Sequence, residues 1–359
     1  MGHFSDMFHG LARSLSIKKW KTVENGGKIE CVEALVKDAK RNERILRSSG
    51  VVNVDGSDNL ASLFSRRGEK GANQDCLVAW EGFGCQEDMM FCGVFDGHGQ
   101  WGHFVAKKVR DSMPPSLLFH WQDTLASTSI DSEAAPDSNS KLHKFNVWKQ
   151  SFIKTCNAVD HELAMQRKFD SFYSGTTALS IVRQGDMLIV ANVGDSRAVL
   201  ASESEDGSLA AIQLTVDFKP NIPQEAERIS QCNGRVFCLE DEPGVYRVWL
   251  PHEESPGLAM SRALGDYCVK DHGLISEPEV TQWPISARDQ FVILATDGVW
   301  DVISNQEAVE IVSLAPDKAS SARRLVECAA RAWKRKRRGY ATDDISAICL
   351  FFHASRQNQ

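Results

Sequence analysis

Three aspartates, each beside a short hydrophobic run, constrain the fold of this chain more than any other feature. Asp96 follows the run at residues 91–95, Asp297 follows the run at 291–296, and Asp343 lies just before the run at 345–352. Short apolar runs of this length are typical of buried β-strands. Carboxylates pooled at strand ends repel one another unless cations neutralise them, and hard cations such as Mg²⁺ and Mn²⁺ prefer oxygen ligands. The pattern therefore predicts a metal-dependent enzyme.

Composition and charge narrow the class of protein. The chain of 359 residues is 42% hydrophobic and 25% charged, as is usual for a globular protein with a sizeable core. Its net charge of -7 argues against general affinity for nucleic acid, so no nucleic-acid partner is expected. The ten cysteines form no Cys-x-x-Cys pair and no zinc-like spacing. Reduced thiols and a cytoplasmic or nuclear location are expected.

Residues 1–58 are predicted to be an N-terminal extension. Apolar residues recur at helical spacing between Ile29 and Ala39, which indicates one amphipathic helix. Gly2 follows Met1, as N-myristoylation requires, but Asp6 stands where that pattern needs Ser or Thr. We therefore favour an unmodified N-terminus and expect membrane contact only if Gly2 is myristoylated.

From about residue 60 short strands and helices are interleaved. Residues 176–182, 187–193 and 197–201 are predicted to be consecutive strands, and their close spacing indicates antiparallel pairing. Helices are predicted after Gly102 and at 145–168, 224–230 and 318–334. Residues 122–140 are predicted to be a surface loop, and 202–208 a hairpin tip. No linker is apparent, so we predict one domain over residues 59–354 and a tail at 355–359.

Several short motifs are weak alone but specific in combination. Asp-Gly is a common turn former, and a lone Asp at a strand end is more often a cap or turn residue than a ligand. The ordered set is Asn-Gln-Asp at 73–75, Asp-Gly-His-Gly at 96–99, Ser-Gly-Thr-Thr-Ala at 174–178, Gly-Asp-Ser-Arg at 194–197, Leu-Ala-Met-Ser-Arg-Ala-Leu-Gly-Asp at 258–266, Asp-Gly-Val-Trp-Asp at 297–301 and Asp-Asp at 343–344.

With these motifs the sequence resembles the protein phosphatase 2C family of metal-dependent Ser/Thr phosphatases, over about residues 60–353 and especially its plant members. The resemblance implies an α+β fold, a four-layer αββα sandwich of two antiparallel sheets flanked by helices, with a binuclear metal cleft at one end. It implies hydrolysis of phosphoserine and phosphothreonine by a metal-activated water. We expect phosphoprotein substrates and a monomeric chain.

The resemblance also implies two Mg²⁺ or Mn²⁺ ions per subunit and the residues that hold them. Asp96 resembles the carboxylate that bridges both ions, and Gly97 would contribute its carbonyl oxygen. Asp297 and Asp343 resemble the other direct ligands of the first ion.

Four further positions match family residues with less direct roles. Asp195 and Asp301 match carboxylates that bind through water or help to hold a weak third ion, and Asp75 matches a water-mediated contact. His98 stands at the place of the proposed general acid, although a histidine in such a turn can also be structural.

Three positions depart from the family pattern. Lys70 stands where Arg is common, and it is expected to neutralise phosphate as a point charge, with help from Arg66 or Arg67. Gln74 stands where Glu is common, which should weaken the second metal site. Phe218 stands where His is common, and only a packing effect is expected.

Lys70 and Gln74 support an alternative function, that of a catalytically weak binding or scaffolding protein that keeps the fold. A two-metal nuclease is disfavoured by the acidic balance.

Overall fold

Two β-sheets form the centre of the molecule in a computed structural model that describes residues 51–54, 56–57, 60–129, 138–337, 339 and 341–353. The strands are β1 (Val51–Asn53), β2 (Gly56–Ser57), β3 (Ala61–Arg66), β4 (Asp75–Glu81), β5 (Met89–Gly99), β6 (Ser174–Thr176), β7 (Ala178–Gln184), β8 (Met187–Val193), β9 (Arg197–Glu203), β10 (Leu209–Gln213), β11 (Arg235–Phe237), β12 (Arg247–Trp249), β13 (Pro256–Leu258), β14 (Leu264–Gly265), β15 (Glu279–Pro284), β16 (Asp289–Ala295) and β17 (Ile345–Phe351). The first sheet has the order β1-β4-β5-β7-β8-β15, with β6 joined to β5 and β14 to β6. The second sheet has the order β10-β9-β16-β17-β3-β2, and a small third sheet has the order β11-β12-β13.

Helices cover the outer faces of the two large sheets. They are α1 (Gly102–Ser129), α2 (Ser138–Met165), α3 (Pro223–Gln231), α4 (Tyr267–Lys270), α5 (Asp297–Trp300), α6 (Asn305–Ser313) and α7 (Ser321–Lys336). The first sheet packs against α1 and α2, and the second sheet packs against α6 and α7. No helix in the described part of the chain is long and apolar enough to cross a membrane.

Period-two burial along the central strands explains the layers. In β5, Phe91 and Phe95 pack among residues of α1 and α2, whereas Cys92 and Val94 face the second sheet. In β16, Ile293 packs towards α6 and α7. Successive side chains of a strand point to opposite faces, so strands buried on both faces are apolar throughout. The predicted four-layer αββα sandwich is confirmed.

The predicted surface loop at 122–140 is wrong over most of its length. Helix α1 continues to Ser129, and α2 already begins at Ser138. The polar residues of this stretch lie on the solvated side of helices that also have a buried side. On the buried side, the ring of Trp121 in α1 stacks on Trp148 in α2 at a centroid distance of 4.9 Å. Residues 130–137 lie outside the described residues.

The predicted pairing of the consecutive strands holds for β7 with β8 but is wrong for β8 with β9. Strand β9 pairs with β10 and β16 in the second sheet, so the chain changes sheet between Val193 and Arg197. Gly194 has a φ of 97°, a conformation that favours glycine and lets the chain turn sharply there. The predicted hairpin tip at 202–208 does join the paired strands β9 and β10.

The start of the described fold lies before the predicted boundary at residue 59. Strand β1 pairs with β4, and β2 pairs with β3, so residues 51–53 and 56–57 extend the two large sheets. The helix predicted near residues 29–39 lies outside the described residues, as does the N-terminal Gly2.

Candidate active site

Five aspartates lie around one end of the two large sheets, and we call them the acidic cluster: Asp75, Asp96, Asp195, Asp297 and Asp343. Asp96 stands near the end of β5, directly opposite Asp75, the first residue of β4. Asp297 is the first residue of α5, just after β16, and Asp343 lies just before β17. Since β16 and β17 are antiparallel neighbours, the end of one and the start of the other lie side by side.

The negative charges of these carboxylates repel one another. Burial, followed by the charges of Asp75 and Asp297, raises the pKa of Asp96 well above its usual range. Burial, followed by the charges of Asp195 and Asp343, does the same for the pKa of Asp297. Burial raises the pKa of Asp75 to about 7, although hydrogen bonds work in the opposite direction. Without added positive charge, part of the acidic cluster is therefore protonated near neutral pH.

Two carboxylate oxygens of the acidic cluster are buried without a hydrogen-bond partner. Asp75 Oδ2 accepts a hydrogen bond from the Thr296 hydroxyl at 3.1 Å, but Asp75 Oδ1 has no partner. Asp195 Oδ2 pairs with the Lys219 ammonium, while Asp195 Oδ1 has no partner. Buried polar atoms normally have partners, so unpaired acidic oxygens are typical of a site that binds a cation.

The acidic cluster fits divalent cations in the chemistry of its donors. All of its side-chain donors are oxygens, which Mg²⁺ and Mn²⁺ prefer, and its unpaired oxygens are free to bind. Among the described residues, no group of three or more His, Cys, Asp or Glu side chains already has the arrangement of a metal site. Mg²⁺ keeps several waters and is usually held by few carboxylates, so a closed cage is not needed for it to bind.

Two lysines supply positive charge to the acidic cluster, and sequence reasoning identified one of them. The ammonium of Lys70 contacts Asp343, and the Lys70 side chain is 55% exposed. The Lys219 ammonium contacts Asp195. Burial acts to lower the pKa of Lys219, but the Asp195 and Asp297 carboxylates outweigh it and raise that pKa. Arg67 is exposed, and its expected role in binding phosphate stays a prediction.

His98 is positioned by a buried aspartate that sequence reasoning missed. His98 Nε2 lies 2.6 Å from Asp266 Oδ2. Burial acts to lower the pKa of His98, but the Asp266 carboxylate outweighs it and raises that pKa. A Cβ on Gly175 would lie 2.0 Å from Asp266 Oδ2, so only glycine leaves room for this pair. The motif at 258–266 contains Asp266, but nothing in its spacing indicates a partner 168 residues away.

Asp344 holds the loop that carries Lys70 and Gln74. Its carboxylate accepts hydrogen bonds from the backbone N–H of Gly68 at 2.7 Å and of Gln74 at 2.8 Å. Gln74 Nε2 donates to the Gly99 carbonyl at 3.0 Å, and Gln74 Oε1 is buried without a partner. Sequence reasoning named the Asp-Asp pair but missed this anchoring role.

The remaining predicted site residues lie at the edges of the acidic cluster. Gly97 pairs with Thr176 of β6, immediately beside Asp96. Asp301 follows α5, and its side chain is 42% exposed and lies 3.9 Å from Arg337. Phe218 is buried, with the Arg262 guanidinium 3.7 Å from its ring centroid, which confirms the expected packing role.

Comparison with known proteins gives one consistent result. The family model described as "Protein phosphatase 2C" matches residues 63–341. "Probable protein phosphatase 2C 34" of Arabidopsis thaliana is 67% identical and covers 99% of this chain and 98% of that protein. "Probable protein phosphatase 2C 48" of Oryza sativa subsp. japonica is 57% identical over 99% of both chains. A crystal structure of serine-threonine phosphatase 2C from Toxoplasma gondii is similar with a TM-score of 0.74 and 26% identity, covering 84% of this chain and 99% of that one.

These matches agree with the fold and with the acidic rim of the sheets. The protein is a protein serine/threonine phosphatase. The chain belongs to the protein phosphatase 2C family.

Proposed function

We propose that the acidic cluster binds two Mg²⁺ or Mn²⁺ ions and that phosphoserine and phosphothreonine of protein substrates are hydrolysed beside them. The observation that carries the proposal is the crowding of Asp96 and Asp297, both partly buried, among like charges. Their raised pKa values agree with this, since the two carboxylates need cations to ionise together. Asp96, the Gly97 carbonyl, Asp297 and Asp343 would hold the ions directly.

The other carboxylates would act at longer range. Asp75 and Asp195 each present an unpaired oxygen, which supports contact with the ions through water. Asp301 is more exposed and would help to hold a weak third ion. When bound, two divalent cations supply an activated water and neutralise the phosphate oxygens.

The protein's own residues would bind phosphate and move one proton. Lys70 is half exposed at the edge of the acidic cluster, so its ammonium can attract a phosphate dianion. His98 would protonate the leaving serine or threonine oxygen, because the Asp266 carboxylate favours its protonated form. Asp266 would also fix the direction of the imidazole ring, as carboxylates do for other catalytic histidines.

Turnover of a phosphoserine peptide, titrated separately with Mg²⁺ and Mn²⁺, tests this proposal. We expect no activity in excess chelator and saturable activation by each metal. Asp206→Asn, at the exposed hairpin tip, is a matched control that should behave as the wild type. Binding of the peptide without turnover at saturating Mn²⁺ would instead support the catalytically weak scaffolding alternative. Metal-independent turnover would overturn the metal role of the acidic cluster.

A further inference from the structure

Exposed aromatic side chains are concentrated beside His98. Among the described residues, the exposed Phe and Tyr side chains are Phe104, Phe172, Tyr173 and Tyr246. The first three lie in segments that contact Ser174, next to the strand that carries His98. Single exposed apolar residues are common, but several at one place mark a binding surface.

These aromatic residues connect directly to the catalytic strand. Gly99 pairs with Ser174, and His98 pairs with Gly175, so Tyr173 is two residues from the position opposite His98. The Ser174 hydroxyl accepts a hydrogen bond from the Trp101 backbone N–H at 3.0 Å, which holds the start of α1 at the same place. We call Trp101, Phe104, Phe172 and Tyr173 the aromatic rim.

The backbone beneath the rim is well anchored. The Asp170 carboxylate accepts hydrogen bonds from the N–H groups of Phe172 at 2.7 Å and of Tyr173 at 3.4 Å. The Phe172 carbonyl accepts a further hydrogen bond from Cys268 at 3.0 Å. The Phe172 and Tyr173 side chains are nevertheless 48% and 58% exposed. Large side chains on an anchored backbone can bury more area on binding with little loss of conformational entropy.

The rings also support one another. Phe172 and Tyr173 pack edge to face with centroids 4.9 Å apart. On the α1 side, Phe104 lies 5.7 Å from Trp101 and stacks on Phe169 at 6.0 Å. The rim is therefore two aromatic pairs, both attached to the Ser174 segment that borders the catalytic histidine.

We propose that the aromatic rim binds an apolar side chain of the phosphoprotein substrate, two or three residues from the phosphorylated serine or threonine. This inference rests on the proposed function. A phosphate near His98 places the neighbouring substrate residues along the same edge, because Phe172 and Tyr173 lead into β6, which pairs with the His98 segment of β5. The backbone distance from Gly175 to Tyr173 is two extended residues, or about 7 Å, which an extended substrate also spans in two residues. The continuity of the rim with the strand pair that holds His98 is the reason for naming a substrate peptide as its occupant.

Two phosphoserine peptides that differ only near the phosphate test the inference. One carries leucine two and three residues from the phosphoserine on both sides, and the other carries serine at those positions. Para-nitrophenyl phosphate, which has no flanking residues, serves as the reference substrate. We expect the wild type to have a kcat/KM about tenfold higher for the leucine peptide, mainly through KM, because the contact is present in both the ground state and the transition state.

Variants of Phe172 and Tyr173 should show whether these side chains bind the substrate or only stabilise the fold. The double variant Phe172→Ser with Tyr173→Ser should lose the preference for the leucine peptide, measured as the ratio of the two peptide kcat/KM values. Phe172→Leu with Tyr173→Leu should restore most of it, because an apolar surface is kept. Leu314→Ser is the matched control, since Leu314 is 69% exposed and lies outside the rim, and it should keep the wild-type ratio.

The outcomes also separate this inference from the proposed function. Hydrolysis of para-nitrophenyl phosphate and of both peptides with no preference in the wild type overturns the inference alone. An equal preference in the wild type and the serine double variant also overturns it. No metal-dependent turnover of any substrate overturns the proposed function and this inference together.

Discussion

The buried carboxylate of Glu225 and the carboxylates of the acidic cluster have opposite surroundings. Glu225 accepts hydrogen bonds from both guanidinium groups of Arg228 and Arg262 and from the Ser261 hydroxyl at 2.7 Å. Burial acts to raise its pKa, but these partners lower that pKa to about 2. The acidic cluster has few such partners, and burial with like charges raises the pKa of Asp75 to about 7.

The difference separates a structural carboxylate from a functional one. Around Glu225 the fold supplies enough positive charge and hydrogen bonds to keep the buried carboxylate ionised. Around the acidic cluster the fold supplies two lysines and leaves Asp75 Oδ1 and Asp195 Oδ1 unpaired. Like charges held together by rigid strands take up protons or bind cations, and the unpaired oxygens make this region, and not that of Glu225, the candidate metal site.

The largest expected effect is the loss of activity in Asp297→Asn. Removing one charge from the proposed direct ligands should lower kcat/KM by more than about 100-fold, since even the residues that orient metal ligands are worth 10–100-fold. The melting temperature in chelator should stay the same or rise, because repulsion within the acidic cluster is relieved. Phosphopeptide turnover at saturating Mn²⁺ and thermal unfolding in chelator give the two readings. Wild-type turnover would remove Asp297 from the site.

Glu225→Gln should show the opposite pattern. The variant leaves Arg228 and Arg262 without their shared carboxylate, and breaking a buried ion pair in this way costs about 3 kcal/mol or more of the free energy of unfolding. Metal-dependent turnover of the folded fraction should be largely retained. Urea unfolding checks the loss, with Glu227→Gln on the exposed side of the same helix as the control. A stability equal to that of the control would mean that the Glu225 partners do not stabilise the fold.

The two groups should also respond to pH in opposite directions. The folded pKa of Asp75 is about 7 against an ordinary 3.8, so the folded metal-free protein binds more protons in that window and its stability falls as pH rises. The folded pKa of Glu225 is about 2 against 4.5, so its contribution is present above 4.5 and is lost as pH falls towards 2.

Melting temperatures in chelator from acid to mildly alkaline pH test these two directions. Asp75→Asn should flatten the fall in stability between about pH 5 and pH 8, and Glu225→Gln should flatten the loss below about pH 4.5. If Asp75→Asn leaves the slope of melting temperature against pH unchanged between pH 5 and pH 8, the carboxylates of the acidic cluster do not repel one another as proposed.

The smallest expected effect is a shift in metal requirement in Gln74→Glu. An added carboxylate beside Gly99 raises the negative charge near the second proposed ion, and oxygen sites tune affinity partly through ligand charge. The Mg²⁺ concentration for half-maximal activity should fall several-fold relative to the wild type. Parallel titrations on one phosphopeptide measure it, and superimposed curves would show that Gln74 does not affect metal binding.

The sequence predicted the parts of this picture that depend on local pattern. Short apolar runs with polar ends place Asp96, Asp297 and Asp343 at the rims of strands, and the structure has each of them there. The close spacing of β7 and β8 predicted their antiparallel pairing, whereas the four layers were implied by the family resemblance. The strand positions and this pairing depend on residues that are close in the sequence, because successive side chains of a strand point to opposite faces of the sheet.

Partners from distant segments could not be predicted in this way. Asp266 meets His98 across 168 residues, and Asp344 meets Gln74 across 270. Those contacts depend on the order of strands in the sheets, and the change of sheet after β8 has no local signal beyond Gly194. The helical residues 122–129 were also misassigned, because a solvated helix face and a loop have similar compositions.

Binding of Mn²⁺ to the metal-free protein at about pH 6 tests the central claim most directly. Calorimetric titration in two buffers of different ionisation enthalpy measures both the ions bound and the protons released. We expect about two ions to bind the wild type and Glu225→Gln with release of protons, because carboxylates of raised pKa must ionise to bind metal. Asp297→Asn should bind fewer ions and release fewer protons. Binding by Asp297→Asn with the stoichiometry and proton release of the wild type would contradict the assignment of the acidic cluster as the metal site.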